Sequence, residues 1–213
     1  FVVTRGYADR LGAALTTRLN FLVQRANDAF TASEVAITAK MVNYTVVDYP
    51  DTANDDAALR AITPGDPQFN AAVFGRIEAI RNQWGADVVS FLRNGTDSGA
   101  GLAWIPSTLS PTPGLMYNTL HSCVDACDYL WVHMLAHNLG AQHDRRTQAW
   151  IDGGRDNALV TPDATSYAFG YVFCKSGVLT CNPNTPGGCG QQPECSPSDP
   201  SNFSEIMSYF HNS

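Results

Sequence analysis

Three histidines with a fixed spacing constrain this 213-residue chain more than any other feature of its sequence. His133, His137 and His143 stand in the run H-M-L-A-H-N-L-G-A-Q-H. On a helix, the first two side chains project from one face because they are four residues apart. Gly140 then lets the chain leave the helix through a strained turn, which brings His143 back toward the first two histidines as a third ligand. Three neutral imidazoles favour zinc and leave its fourth position open, which is typical of catalytic sites.

The run resembles the motif of the metzincin zinc endopeptidases, H-E-x-x-H-x-x-G-x-x-H, which a Met-turn follows. A matching turn, Glu205–Tyr209, contains Met207. In that clan the methionine forms an apolar floor beneath the imidazoles, so the resemblance implies this role for Met207; ordinary core packing is the alternative. Asp144, directly after the third histidine, and the run His137–Gly140 look like the adamalysin/reprolysin branch.

Met134 occupies the position at which that motif carries a glutamate. In the family the glutamate takes a proton from the attacking water and returns it to the leaving amine. A thioether can do neither, and the missing step is typically worth ~10²–10⁴-fold in rate. The resemblance therefore implies a chain that keeps its metal but is inactive or strongly impaired. Three explanations stay open: a replacement that traps a stable form, a natural pseudo-peptidase, or proton transfer by Asp144 or Glu205.

Tyr209 is a further candidate site residue, two positions after Met207. In astacin-like and serralysin-like relatives, a tyrosine at this position binds zinc or stabilises the oxyanion, and the resemblance implies the same role here. The alternative is a buried tyrosine whose hydroxyl is hydrogen-bonded within the core.

The segment Gly101–Pro106 is predicted to be a strand with a role in substrate binding. It lies in the chain where metzincins have an edge strand that binds substrate in extended form. Strand addition supplies main-chain hydrogen bonds. The resemblance therefore implies substrate contacts by Gly101, Leu102, Ala103 and Trp104. An ordinary interior strand is the alternative.

Hydrophobic periodicity predicts alternating helices and strands, and therefore a mixed α/β domain with a twisted sheet. Helices are predicted at Tyr7–Phe30, Phe69–Trp84 and Asp128–Leu139. Strands are predicted at Val35–Val47, Ala86–Leu92, Gly101–Pro106 and Leu115–Leu120. With the resemblance, this predicts one metzincin-like catalytic domain of α+β type. Its upper part, residues 1–143, carries the sheet and the active-site helix, and its lower part, residues 144–213, is smaller, irregular and disulfide-rich.

Composition favours an extracellular protein. The net charge of −7, with only 15% charged residues, argues against nucleic acid or an anionic membrane as the main partner. No apolar run is long enough to span a membrane, and no signal peptide is visible at Phe1, so a secreted protein would be in its mature or trimmed form.

The six cysteines, four of them within Cys174–Cys195, predict three disulfides, with a second zinc site as the alternative. Asp152–Asn157 is a weak candidate for Ca²⁺, with a solvated turn as the alternative.

Two functions of different class fit these features. One is a secreted zinc endopeptidase that acts on protein or peptide segments in extended conformation and is impaired by Met134. The other is a pseudo-peptidase that holds such segments as a zinc-bearing binding module. In both cases we expect a monomer, with a pro-segment or an inhibitor as a further partner.

Overall fold

A five-stranded mixed β-sheet organises the first part of the chain in the computed structural model. The structure describes residues 1–95, 101–106, 112–121, 128–143, 172–173, 203–204 and 206–207. The chain divides into two compact units, one of Phe1–Pro106 with Ser110–Asn138 and the other of Ser107–Leu109 with Leu139–Ser213. In the described ranges, no helix is both long enough and apolar enough to cross a bilayer.

The sheet of the first unit has the strand order β2-β1-β3-β5-β4. Its strands are β1 (Val2–Thr4), β2 (Thr45–Val47), β3 (Val89–Arg93), β4 (Gly101–Ala103) and β5 (Tyr117–His121). The first four strands in this order pair in parallel, and β4 pairs antiparallel to β5. This sheet confirms the predicted mixed α/β domain. In the second unit, β6 (Val172–Phe173) pairs antiparallel with β7 (Phe203–Ser204).

Helices cover both faces of the first sheet. They are α1 (Arg5–Leu11), α2 (Leu15–Ala32), α3 (Asp55–Ile62), α4 (Ala71–Phe74), α5 (Ile77–Trp84) and α6 (Leu130–Asn138). Neighbouring residues of a strand point to opposite faces. Tyr117 belongs to an apolar cluster with Leu59 of α3 and Phe74 of α4. Its neighbour Asn118 points to the other face, where it donates a hydrogen bond to Asn138 of α6. Helix α6 in turn packs on α2.

Two predicted helices are interrupted in the structure. The helical run predicted at Tyr7–Phe30 is split at Gly12, whose φ of +50° lies in the region that favours glycine. A 3₁₀ turn there separates α1 from α2. The helix predicted at Phe69–Trp84 is also split, into α4 and α5, after Phe74. The apolar residues that recur with helical period in α2 are buried nonetheless: Leu15, Leu19, Leu22 and Ala26.

The strand predicted at Val35–Val47 is wrong for most of its length. Only Thr45–Val47 pairs, with β1, and the residues before it have no regular secondary structure. Val35 and Ile37 are 42% and 44% exposed. Residues with high β propensity form a strand only where a pairing partner and a surface to cover are available, and this segment has neither over most of its length.

Helix α3 is not among the predicted elements. Its first turn carries the signals of a helix start, because the Asn54 side chain accepts a hydrogen bond from the Ala57 N–H at 2.8 Å. Asp55 and Asp56 follow in the first turn, where negative charge is favourable. The remaining predicted elements match the observed ones with shifted ends.

A polar cluster fills the carboxyl ends of β1, β3 and β5. The guanidinium of Arg93 is fully buried and donates to the carboxylate of Asp55 and to backbone carbonyls. The Thr4 hydroxyl donates to Asp51 Oδ1 at 2.6 Å, and His121 Nε2 lies 3.2 Å from the Asp51 carbonyl oxygen. We call Thr4, Asp51, Arg93 and His121 the carboxyl-end cluster. It ties the three strand ends to the loop that leads into α3.

Candidate metal centre

Helix α6 places two of the three motif histidines side by side. His133 and His137 are each 4% exposed, and their rings lie 4.6 Å apart between centroids at an interplanar angle of 88°. The helix packs against α2, β4 and β5, which buries most of its residues. The four-residue separation therefore puts both imidazoles on one face, in surroundings from which water is largely excluded.

The chain turns sharply after the helix and brings the third histidine to the first two. Gly140 has a φ of +97°, which a residue with a Cβ atom adopts only under strain. Three residues later, His143 is half-buried. The imidazole nitrogens that His133, His137 and His143 can offer all lie within 4.8 Å of one another.

This nitrogen set fits a zinc ion. Zinc bonds imidazole nitrogen at about 2.0–2.1 Å, so in a tetrahedral site two such nitrogens are about 3.4 Å apart. The observed limit of 4.8 Å is close enough for small side-chain rotations to complete the geometry. Imidazole is also a preferred zinc ligand, whereas calcium and magnesium prefer oxygen.

Met134 lies beside the ligand positions and is 3% exposed. Its Cγ and Sδ atoms pack against Gly101 of β4, and each would be 3.1 Å from a Cβ atom added to that glycine. The position that the motif reserves for a proton-transfer group is therefore filled by a buried apolar side chain in contact with the edge of the sheet.

The candidate substrate residues form the end strand of the sheet and the residue after it. Gly101, Leu102 and Ala103 make up β4, which pairs only through β5 in the described sheet. Leu102 is 38% exposed. The strand is shorter than predicted. The Trp104 N–H still bonds to Tyr117 of β5, but its carbonyl oxygen accepts from Asn138 and its indole donates to Thr63.

Asn138 is a buried polar residue whose contacts the sequence analysis does not predict. It ends α6, follows the candidate ligand His137 and is 1% exposed. Its side chain bonds to β5 and to the end of β4. An asparagine at the end of a largely buried helix was the available signal, because a buried carboxamide has to find partners.

Several predicted site residues lie outside the described part of the chain. These are Asp144, Glu205, Tyr209, Asp152–Asn157 and the six cysteines. Met207 is described: it is 8% exposed and follows Ile206 in a turn.

Comparison with known proteins identifies the family. The Reprolysin_5 family model, described as metallo-peptidase family M12, matches residues 1–212. No curated protein matches this chain. A solved structure titled "Structure of a chaperone-substrate complex" is similar in fold, with 20% identity and a TM-score of 0.51 over 81% of this chain. The matched region is 25% of that longer chain. Because the family model spans nearly all residues and agrees with the mixed sheet and the histidine spacing, this chain belongs to the reprolysin-like metallo-peptidase family M12 of the metzincins.

Proposed function

We propose that this chain is the catalytic domain of a zinc-dependent metalloendopeptidase whose hydrolytic step is strongly impaired by Met134. The observation that carries the proposal is the convergence of His133, His137 and His143, three neutral ligands of the type that a catalytic zinc site uses. A zinc ion held there would polarise a peptide carbonyl and make a neighbouring water more acidic. The family pattern assigns supporting roles to Met207 and Tyr209.

The edge strand β4 supplies the peptide-binding part of the proposal. In an antiparallel pair, successive residues alternate between pointing their backbone N–H and C=O groups toward the partner strand and away from it. The Trp104 N–H donates to the Tyr117 carbonyl at 3.3 Å, so Trp104 and Leu102 face β5. By this alternation, the N–H and C=O groups of Gly101 and Ala103 point away from β5. They are placed to bond to the main chain of an extended segment, while the exposed Leu102 offers an apolar contact.

The impairment follows from the chemistry and placement of Met134. A thioether neither accepts nor donates a proton at neutral pH. The side chain is buried and packed against Gly101, so it also leaves little space for a bulk water to replace the missing group. Loss of general-base catalysis typically reduces the rate by ~10²–10⁴-fold.

The test is cleavage of a denatured protein substrate by the zinc-loaded chain and by its Met134→Glu and Met134→Gln variants. Glutamine has nearly the shape of glutamate but cannot act as the base, so it is the matched control. We expect chelator-sensitive cleavage by Met134→Glu and little or none by the other two proteins. Equal cleavage by all three would show that another group transfers the proton and would overturn the role given to Met134.

The close packing of Met134 on Gly101 also favours a second candidate, a zinc-bearing module that binds extended peptides without cutting them. Such a module needs an ordered edge strand but no base. Here the Met134→Glu variant would remain inactive although zinc and peptide still bind, which calorimetry would measure. We favour the peptidase because a site used only for binding has little need of a metal with an open position.

We further propose that the protein is secreted and that its six cysteines form three disulfides. The even cysteine count and the family support this proposal. Titration of thiols in the unfolded, unreduced protein should detect none, and six should appear after reduction. Free thiols before reduction, together with a second equivalent of tightly bound zinc, would instead support metal binding by these cysteines.

A further inference from the structure

The side chain of Asn138 joins three elements that meet at the end of the metal-ligand helix. Its Nδ2 atom lies 2.9 Å from the Trp104 carbonyl oxygen, 3.0 Å from that of Tyr117 and 3.2 Å from that of Leu115. Its Oδ1 atom accepts a hydrogen bond of 2.8 Å from Asn118 Nδ2. All atoms of this small carboxamide are therefore engaged, and its two N–H groups serve three carbonyl oxygens.

Asparagine suits this position better than its isosteres. Aspartate would keep the acceptor but lose both donors, and it would place a negative charge among carbonyl oxygens. Leucine would leave those oxygens and Asn118 without a partner in a place where Asn138 is only 1% exposed. A buried polar group that loses its partner costs more than the net value of one hydrogen bond.

The side chain of Trp104 is held by further contacts. Its indole Nε1 donates to the Thr63 hydroxyl at 2.8 Å, and that hydroxyl donates in turn to the Leu59 carbonyl at 2.6 Å. The Arg60 guanidinium lies 5.6 Å from the centre of the indole ring. Helix α3 therefore anchors the side chain of the residue after β4, while Asn138 of α6 anchors its main chain.

From these contacts we infer that Asn138 is a positioning residue, which fixes the edge strand β4 to the helix that carries the metal ligands. The strand has three residues and one pairing partner in the described sheet, so its own ladder gives it little resistance to fraying. Asn138 directly follows the ligand residue His137, and its bond to the Trp104 carbonyl sets the distance between helix and strand. Its significance for peptide binding rests on the proposed function.

Hydrogen–deuterium exchange tests this inference without any hydrolysis. The quantity measured is the ratio of amide exchange rates between Leu102 and Trp104, whose N–H groups face β5, and the amides of β3, in the zinc-free and the zinc-loaded chain. The variants are Asn138→Ala and Asn138→Asp. The matched control is Trp131→Phe, which removes a 2.8 Å hydrogen bond from the same helix to Ser90 of the reference strand β3.

We expect both Asn138 variants to raise the exchange ratio by about 10-fold or more, the effect of losing one buried hydrogen bond and leaving its partners unmatched. Trp131→Phe should not raise the ratio, because the bond that it removes is to β3 and a general loss of stability speeds exchange in both strands. If Asn138→Ala does not fold, Asn138→Asp carries the test, because it keeps the size of the side chain and removes its two donors. An unchanged ratio in every folded Asn138 variant would overturn the inference.

This experiment separates the inference from the proposed function. Inactive Met134→Glu would refute the peptidase proposal and would leave the exchange result as it stands. Conversely, an active Met134→Glu variant whose β4 exchange does not respond to Asn138→Ala would refute the positioning role alone.

Discussion

The Cγ and Sδ atoms of Met134 and the Cα atom of Gly101 meet where helix α6 crosses the edge of the sheet. A Cβ atom added at Gly101 would be 3.1 Å from both methionine atoms and 2.9 Å from the Thr119 carbonyl oxygen. The methionine end is flexible, but the carbonyl belongs to the backbone of β5. Position 101 therefore has no room for a side chain unless β4 moves.

Replacing Gly101 by alanine should lower the free energy of unfolding by about 1–3 kcal/mol, the usual effect of overpacking. Gly114→Ala is the control, because a Cβ atom there has no neighbour within 4 Å. Urea denaturation of both variants measures the difference. Equal stability of the two variants would mean that β4 shifts freely and is not fixed as described.

Asp55 and Asp56 allow a comparison of a buried and an exposed ion pair, since both residues stand in the first turn of α3. Asp55 is the counterion of the fully buried Arg93, whereas Asp56 pairs with Arg60 and is 61% exposed. Asp55→Ala should cost about 3 kcal/mol, because it leaves a buried charge without its partner. Asp56→Ala should cost about 0.5 kcal/mol. Thermal and urea unfolding would contradict this account if the two losses were similar.

Tyr7 should make stability sensitive to alkaline pH. Burial raises its pKa from 10.0 to about 12, against a smaller opposite effect of Arg18. The folded protein thus keeps the phenol neutral at pH values where the unfolded chain releases its proton. The resulting stability, about 3 kcal/mol, is complete below pH 10 and is lost as the pH rises through 12. Tyr7→Phe should flatten this part of the stability curve, and a tyrosinate absorbance titration in which all eight tyrosines ionise together near pH 10 would contradict the prediction.

Zinc binding should depend on the motif histidines and not on the other histidines. We expect His137→Ala to weaken zinc by at least about 100-fold, since changes that only perturb a ligand's orientation already cost 10–100-fold. His211→Ala, outside the motif, serves as the control. Calorimetry gives the affinities, and the metal should also raise the melting temperature of the parent chain. Undiminished zinc binding by His137→Ala would refute the three-histidine centre.

The sequence predicts the metal-ligand helix well because its signal is local. The histidine spacing and the apolar residues between them predict a helix at Asp128–Leu139, and α6 spans Leu130–Asn138. The edge strand is predicted at nearly the right place for the same reason, since Gly101–Ala103 lies within one short apolar run. Such patterns are decided by residues a few positions apart.

The contacts that connect these elements are not local, and the sequence does not reveal them. Asn138 and Trp104 are 34 positions apart, and Gly101 meets Met134 across a similar interval. Periodicity shows which face of a helix is apolar, but it does not identify the residues that the face will meet. Val35–Val47 shows the opposite error, because local propensity predicts a strand where the fold provides no partner for most of it.

The carboxyl-end cluster has a consequence for the kind of selectivity this sheet can offer. Open α/β sheets usually bind ligands beyond the carboxyl ends of their parallel strands. Here Arg93, Asp51 and His121 occupy that position at the ends of β1, β3 and β5. Under the proposed function, a ligand would instead meet the described sheet along β4, where the backbone of its extended segment pairs with the strand. Recognition of this kind would discriminate between conformations more than between sequences, and would favour loops and unfolded segments over folded surfaces of the same composition.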